Sequence, residues 1–342
     1  MKGVYVRFQP MQAGVTAGER TSGGAVRLPM LERWLTAAAP AQPIDDWRAD
    51  AQRWLLPDGV ARLNAASLAW AAAATMAAAP DAAAPDATAP GTMVYLAQPL
   101  HTEATLSSIR LPARGLLQLA AAEAQLLAAD FAALPGAAPA AGGSPRLMAA
   151  GARLFFGFDG HIDAHCPDPA SLVGFDLREF RPAGRDARRL AALRSEVEMW
   201  LFSHPLNQAR QARDAPAITT LWPWGGGAIL SAVPPLPFTV VGEDVMFGAW
   251  ARRATVSGHS PLLQSAASAR GGVLLICDEG ISAAGFEALL APHLGELQAA
   301  MRAGLGALHV SAGRRRCSVS RMPRRWFAPA TRPWWELFDE SE

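Results

Sequence analysis

His204, Asn207 and Arg210 fall at three-residue intervals inside the stretch Glu196–Gly227, which reads EVEMWLFSHPLNQARQARDAPAITTLWPWGGG. On a helical turn an imidazole, an amide and a guanidinium so spaced would face one way, and together they suit a phosphate or a carboxylate. The same spacing also makes a capped, solvated turn. His204 precedes Pro205, which disfavours further helix at the histidine, so it reads as the C-terminus of the helix before it. The negative end of that helix dipole would favour the imidazolium and an anion contact. The alternative is a histidine bonded into the next turn and stacked on Trp200, one turn back.

A β-branched run then carries Trp222 and Trp224, at alternate positions on one side of a strand, into Gly225, Gly226 and Gly227. Three glycines can bring backbone N–H groups close to a ligand, or can let two backbones cross beneath the tryptophans. They match neither the dinucleotide fingerprint nor the P-loop. His101, Asp244 and Asp278-Glu279 also follow directly on apolar, strand-like runs. In parallel sheets ligands bind beyond the carboxyl ends of the strands, which makes these residues candidates by position.

Asp159–Cys166 (DGHIDAHC) offers two histidines, two carboxylates and a thiol, but alternation at two-residue spacing matches no zinc, calcium or iron pattern. No metal site is assigned to it. G-x-S-x-G and H-E-x-x-H are absent from the sequence, so the standard hydrolase chemistries have no local support. Arg314, Arg315, Arg316, Arg321, Arg324, Arg325 and Arg332 crowd a tail interleaved with Trp326, Phe327, Trp334 and Trp335. Such a tail could bind single strands by charge and stacking. The reading preferred here is that its arginines pair locally and its last tryptophans dock it onto the domain.

The elements that would position these residues follow from periodicity. Val4–Phe8 reads as a short edge strand; Leu28–Ala38, Asp45–Leu56, Val60–Ala78 and Ala120–Ala133 read as helices, with Asp45 or Asp46 capping the second. Trp47 and Trp54 lie seven apart on one helical face and read as core anchors. Residues 79–92 and 134–145 are alanine- and proline-rich loops. From about residue 150, strands (Arg153–Phe158, Ile218–Trp222, Phe238–Val241, Val273–Cys277, Ala307–Val310) alternate with helices (Asp186–Phe202, Val245–Arg253, and Ala283–Ala303 interrupted or kinked at Pro292). Alternation of this kind implies a mostly parallel sheet covered on both faces. The expected fold class is therefore α/β, with a mostly parallel central sheet and a helix-rich N-terminal half. The 342 residues are read as one domain, 1–342, subdivided into 1–145 and 146–342.

Composition excludes little more. The net charge of +1 gives no general pull toward nucleic acid or acidic lipid. The longest apolar run, Ala65–Ala79, is short for a bilayer span, and the N-terminus shows no secretory pattern. Cys166, Cys277 and Cys317 are sparse and unpaired in pattern, as in a reducing cytoplasm.

Four stretches together resemble the bacterial RpfE-type regulatory proteins, which are grouped with cofactor-independent phosphoglycerate mutase-like proteins. These are Asp46–Asp50, Leu96–His101, Glu196–Met199 with His204–Arg210, and Leu221–Gly227. The resemblance covers most of the chain and is most specific in the His-Pro-x-Asn-x-x-Arg turn followed by Leu-Trp-x-Trp-Gly. The family usually has Asn-Ser where this chain has Thr219-Thr220, and Asn-Glu-x-Gln-Met where it has Ser195–Met199. Glu198 thus replaces an amide, which alters the charge of any anion site nearby. The resemblance implies an alkaline-phosphatase-like core, in which two divalent metals held by Asp and His and a serine nucleophile move a phosphoryl group. Here the first strand ends Val6-Arg7-Phe8-Gln9-Pro10 without the expected Asp-Gly, Asp159-Gly160 lies mid-chain, and no serine nucleophile is identifiable.

The expectation is therefore a cytoplasmic, non-catalytic or degenerate mutase-like protein with a regulatory or small-anion-binding role and no cofactor. His101, His204, Asn207, Arg210, Trp222, Trp224 and Gly225–Gly227 would form its ligand site, and its partner would be a phosphorylated small molecule or a regulatory protein. No membrane and no nucleic acid partner is expected. The enzyme alternative is an active metal-dependent phosphomutase or phosphatase using Asp159, His161, Asp163, His165, Asp244 or Asp278. The remaining alternative is single-stranded nucleic acid on the arginine-rich tail.

Overall fold

Residues 3–8, GVYVRF, are buried at all six positions. Burial on both faces marks a strand inside a covered sheet, and the edge position expected for it is corrected accordingly. The structure, a computed structural model, describes residues 3–8, 27–35, 38, 40–56, 61–76, 92–132, 145–230, 233–234, 236–242, 244–254, 272–277, 282–304, 306–312, 314–320 and 333–338. In chain order these form β1 (Gly3–Phe8), α1 (Pro29–Leu35), β2 (Gln42–Pro43), α2 (Trp47–Leu55), α3 (Ala65–Met76), β3 (Met93–Leu100), β4 (Glu103–Ala104) and β5 (Ile109–Arg110). Then come α4 (Ala121–Ala132), β6 (Arg146–Ala150), β7 (Arg153–Phe158), α5 (Ala187–Phe202), α6 (Pro205–Gln211) and β8 (Thr220–Ala228). The last are β9 (Thr239–Val241), α7 (Val245–Ala254), β10 (Val273–Cys277), α8 (Ala283–Arg302), β11 (Ala307–Ala312) and β12 (Arg315–Val319). They belong to two units: one takes the chain up to Arg62 and again from Pro235, the other is Leu63–Pro234.

The first unit is α/β around a six-stranded sheet ordered β2-β12-β11-β1-β10-β9. Strands β11, β1, β10 and β9 run parallel, and β12 and β2 add antiparallel to one edge. Period-two alternation divides its faces sharply. Val4, Val6 and Phe8 join Val273, Leu275, Leu308, Val310 and Cys317 in an apolar core that α1, α8 and the Trp334–Phe338 turn complete. The helix α8 continues through Pro292 without interruption, capped at its start by Ser282, whose hydroxyl accepts from Gly285 N–H.

The opposite face of the same strands is polar. Tyr5 stands beside His309 and Arg7 beside Ser311, and across β12 these pair with Ser318 and Arg316. The helix α2, capped by Asp46 as expected, covers this face. Its Asp50 accepts from the Tyr5 hydroxyl (2.9 Å) and from Arg316 Nη1 (2.5 Å). Arg48 grips Asp244 Oδ2 through Nε (2.9 Å) and Nη2 (2.6 Å), while Asp244 Oδ1 caps α7 at Met246 and Phe247. Trp47 is a core anchor, with the Arg7 and Arg48 guanidinium carbons 5.1 and 4.6 Å from its ring. Trp54 is half-exposed and stacks on His309 at 4.0 Å.

The second unit is built on an antiparallel sheet ordered β6-β7-β3-β8. The parallel arrangement expected from residue 150 onward is thus corrected for β7 and β8; the parallel strands are β1, β9, β10 and β11. The cause is local. Strands β6 and β7 are joined by two residues, with Gly151 at φ 61°, and so short a connection can only make a hairpin. Among the described residues of 1–145 there are four helices and five strands, three of the strands only two residues long, and β3 lies inside its sheet. Tyr95 on β3 donates from its hydroxyl to Ala164 O (2.7 Å), which ties the Asp159–Cys166 segment to the sheet. Among the described residues no helix is long and apolar enough to cross a membrane. All three cysteines are buried free thiols.

His309 supplies a pH test of the polar face. Burial first, and then the Arg316 charge, push its imidazole down to about 3. Above about pH 6.5 it is neutral folded or unfolded and stability is unaffected. Between there and about 3 only the unfolded chain takes the proton, so stability falls as pH falls, by at most about 1.4 kcal/mol per pH unit. Urea unfolding across this range should show a shallower slope for His309→Gln; equal slopes in the two proteins would refute the assignment.

Candidate functional site

Proline at the first helical position needs no partner for its missing N–H, and this places the α5–α6 junction. The helix α5 ends at Phe202, Ser203 turns, and His204 (φ −68°, ψ 134°) caps α6 with Pro205 next. The histidine therefore follows the C-terminus of α5, as expected, and at the same time sits at the N-terminus of α6, whose dipole opposes the imidazolium that the α5 end favours. Its Nδ1 accepts from Leu206 N–H at 3.1 Å, so the ring proton is on Nε2. Nε2 lies 3.2 Å from Asp130 Oδ2 but out of line for a good hydrogen bond. The ring meets Trp200 edge-on at 4.8 Å, the packing alternative raised by the spacing.

His101, Asn207 and Arg210 do converge, and what they converge on is backbone. Arg210 Nε donates to Pro216 O, His101 Nδ1 to Ala217 O, and Asn207 Nδ2 to Ile218 O, each at 2.8 Å. Asn207 Oδ1 accepts from Ile218 N–H, also at 2.8 Å, and its amide nitrogen reaches back to Leu201 O. Residues 215–219 have no regular structure of their own. Only Ile218 among them is buried, and its backbone groups need partners; three side chains, two on α6 and one just past β3, hold the segment. Thr219 N–H then bonds Leu100 O, and the chain starts along β3 as β8.

Arg210 is held from the far side as well. Its Nη1 donates to Glu123 Oε1 at 2.8 Å, Arg213 shares that oxygen, and Glu123 Oε2 caps α4 at Ala120 N–H. Burial pushes the Glu123 carboxyl up, but the Ala120 hydrogen bond and the Arg210 and Arg213 charges outweigh it and hold it below the ordinary value. The group is thus an ionised, fully engaged staple between α4 and α6.

Trp222, Trp224 and the glycines all lie within β8, whose only sheet partner among the described residues is β3. Pro223, which cannot donate to a ladder, suits such an edge strand. Trp222 is buried and donates from Nε1 to Pro167 O at 3.0 Å. Opposite Val94 stands Gly227 and opposite Leu96 stands Trp224, so two residues face Tyr95 in a bulge with Gly225 at φ 64°. A Cβ on Gly226 would lie 2.2 Å from Tyr95 Cε1, and one on Gly227 2.3 Å from Asn64 Nδ2. The space a side chain would need at these glycines is taken by the side chains of Ala65, Tyr95, Asn64 and Ser67.

The remaining candidates scatter. His161 and His165 are exposed, Asp159 pairs with Arg146, and Asp163 lies 3.8 Å from Arg185. Among the described residues no three of His, Cys, Asp and Glu stand close enough to hold a metal ion. Asp244 is taken by Arg48 and α7; Asp278 and Glu279 lie outside the described residues. In the tail, Arg314 approaches Asp45 (4.0 Å), Arg315 donates to Ala41 O, and Arg316 pairs with Asp50. Trp334 stacks on Phe8 at 4.2 Å. Arg321, Arg324, Arg325, Trp326, Phe327 and Arg332 lie outside the described residues.

Sequence reasoning missed Glu123, Asp130 and Arg194. Nothing local marks the first two. Arg194 carried a signal, since it falls among Leu190, Leu193, Val197 and Leu201, the buried residues of α5. Its guanidinium lies 5.0 Å from the Trp222 ring.

No protein-family model matches this chain, and no curated protein matches it. The resemblance to RpfE-type proteins therefore rests on the motifs alone. Among solved structures, a cofactor-independent phosphoglycerate mutase from Thermoplasma acidophilum DSM 1728 is 14% identical, with 93% of this chain and 89% of that chain covered, at a TM-score of 0.36. The PH0037 protein of Pyrococcus horikoshii is 9% identical, with 92% and 86% covered, at the same TM-score of 0.36.

The bracing role is testable without a ligand. Asn207→Ala leaves the Ile218 N–H and O unpartnered and should cost roughly 2–4 kcal/mol in urea unfolding; an unchanged midpoint would return Asn207 to the pool of ligand residues. Gly226→Ala forces the buried Tyr95 ring to move and should cost roughly 1–3 kcal/mol by the same measurement. A neutral result there would mean that the contact is looser than 2.2 Å implies.

Proposed function

We propose that the chain is a non-catalytic binding protein with a regulatory role, of mutase-like and alkaline-phosphatase-like descent, that recognises a small anion such as a phosphorylated metabolite. One observation carries the first part. The polar side chains that chemistry would need are engaged by the protein itself: His204 caps α6, while His101, Asn207 and Arg210 hold the 216–218 backbone. A general base must reach its proton with a free lone pair, and a phosphate clamp must offer free donors. A side chain bound at 2.8 Å to a backbone carbonyl does neither without giving up that bond.

The arginine-rich composition supports the second part, since guanidinium groups are well matched to oxyanions. The order and spacing of the His204–Arg210 and Leu221–Gly227 motifs suggest the lineage.

Metal analysis and turnover assays with phosphoglycerates, combined with calorimetry over a panel of phosphorylated metabolites, test the proposal. The expected outcome is no turnover, no pair of tightly held divalent ions, and saturable binding of at least one anion. Two tightly bound manganese or zinc ions with phosphoryl transfer would overturn the non-catalytic reading. Failure of every anion to bind would remove the small-anion part.

A further inference from the structure

Arginine is admitted to the apolar stripe of a helix only when its donors find acceptors. Three buried arginines, Arg48, Arg210 and Arg316, each hold a carboxylate, at 2.6, 2.8 and 2.5 Å, although Arg316 Nε has no hydrogen-bond partner of its own among the described residues. Arg194 on α5 does not. The nearest carboxylate paired with it, Glu198 one turn on, stands 3.5 Å from Nε, and this is too far for a hydrogen bond. Its Nε and Nη1 are out of solvent contact and have no hydrogen-bond partner among the described residues.

What Arg194 has is a floor. Trp222 lies beneath it at 5.0 Å, and the indole is itself fixed by its bond to Pro167 O. Cation–π contact accounts for the charge lying flat, but leaves the N–H groups in the guanidinium plane unpaired. The thiol of Cys166 is close enough to feel the charge, yet burial pushes that thiol up to about 12, so it supplies no anion. A buried guanidinium without an acceptor is the kind of exception that calls for a missing group. The side chain is also 20% exposed, so an acceptor can arrive from solvent.

We infer that Arg194, lying on Trp222, is the seat of a small oxyanion, a phosphate or phosphoryl group, which competes there with Glu198. The inference rests on the binding reading above and gives that reading a place. An incoming phosphate takes the in-plane donors of Arg194, and the half-exposed Glu198 carboxylate turns away into water. Charge-assisted hydrogen bonds of this kind are roughly twice as strong as neutral ones. No covalent step is involved.

Calorimetry with inorganic phosphate at fixed low ionic strength tests it on the full chain, with three proteins. Arg194→Gln should weaken binding about tenfold or more. Glu198→Gln removes the competitor from an exposed position and should tighten binding roughly two- to fivefold. That tightening is the signature a purely structural Arg194 would not produce, and it holds its value even if Arg194→Gln unfolds. Phosphate binding that neither substitution changes would overturn the Arg194 seat while leaving the binding reading standing. Absence of phosphate binding to the unaltered chain would overturn the Arg194 seat, while the binding reading falls only if the whole anion panel fails as well.

Discussion

Much in the second unit that looks like chemistry depends on one constraint: a five-residue connection without secondary structure, which passes from exposed Pro216 to buried Ile218, must enter a sheet edge with its backbone groups held. Pro216, Ala217 and Ile218 cannot bond each other, so each takes a side chain from another element. Asn207 answers both groups of Ile218 at once, a pairing that an amide can make and a carboxylate or an amine cannot. The His-Pro-x-Asn-x-x-Arg spacing follows from this geometry. Proline starts α6 and histidine caps it, which sets Asn207 and Arg210 on the side facing the strand. Motifs of polar residues at fixed spacing invite a ligand reading, yet the fixed spacing here is what a short helix needs to hold its own exit strand.

The first unit solves a different problem with similar parts. Its sheet has one face that is apolar throughout and one on which Tyr5, Asp50, Arg48, Asp244 and Arg316 are closed in together. Ion pairs in such a place are weak contributors beside well-packed apolar residues, but each half is costly to lose. Burial first and the Asp50 charge second push the Tyr5 phenol well above its ordinary value, so that it remains a donor at any ordinary pH. The face is therefore a lattice of obligate pairs, in which α2, α7 and β12 are each addressed by a particular charge.

Much of this was legible in the chain itself. Helical spacing located α1, α2, α4, α5 and α8 to within a few residues, and apolar runs located β7, β10 and β11. Asp46 as the cap of α2 was readable because an aspartate before an amphipathic run has one common use. The partition of strands between sheets was not readable, since a buried strand looks the same whether its neighbour is parallel or antiparallel. The place of His204 at the start of α6 was missed because Pro205 ends one helix and begins another equally well. Arg314–Arg316 read as a basic tail because three successive arginines hide the alternation of β12, where Arg316 and Cys317 face opposite sides of the sheet. The brace on residues 216–218 could not be read at all, since it joins His101 to a segment more than a hundred residues later.

The way the first unit is threaded has a consequence for its making. Val4 pairs with Val273 on one side and Leu308 on the other, while Leu63–Pro234 forms a unit of its own in between. During synthesis β1 is therefore complete long before either neighbour exists, and its six buried residues must wait as an unpaired apolar edge. The intervening unit can finish folding in that interval, because all its strands are already made. Domains generally fold as units during synthesis, and strands waiting for distant partners are the ones exposed to wrong pairing. For this chain the hazard falls on its first strand, and passes only when β10 and β11 have been made.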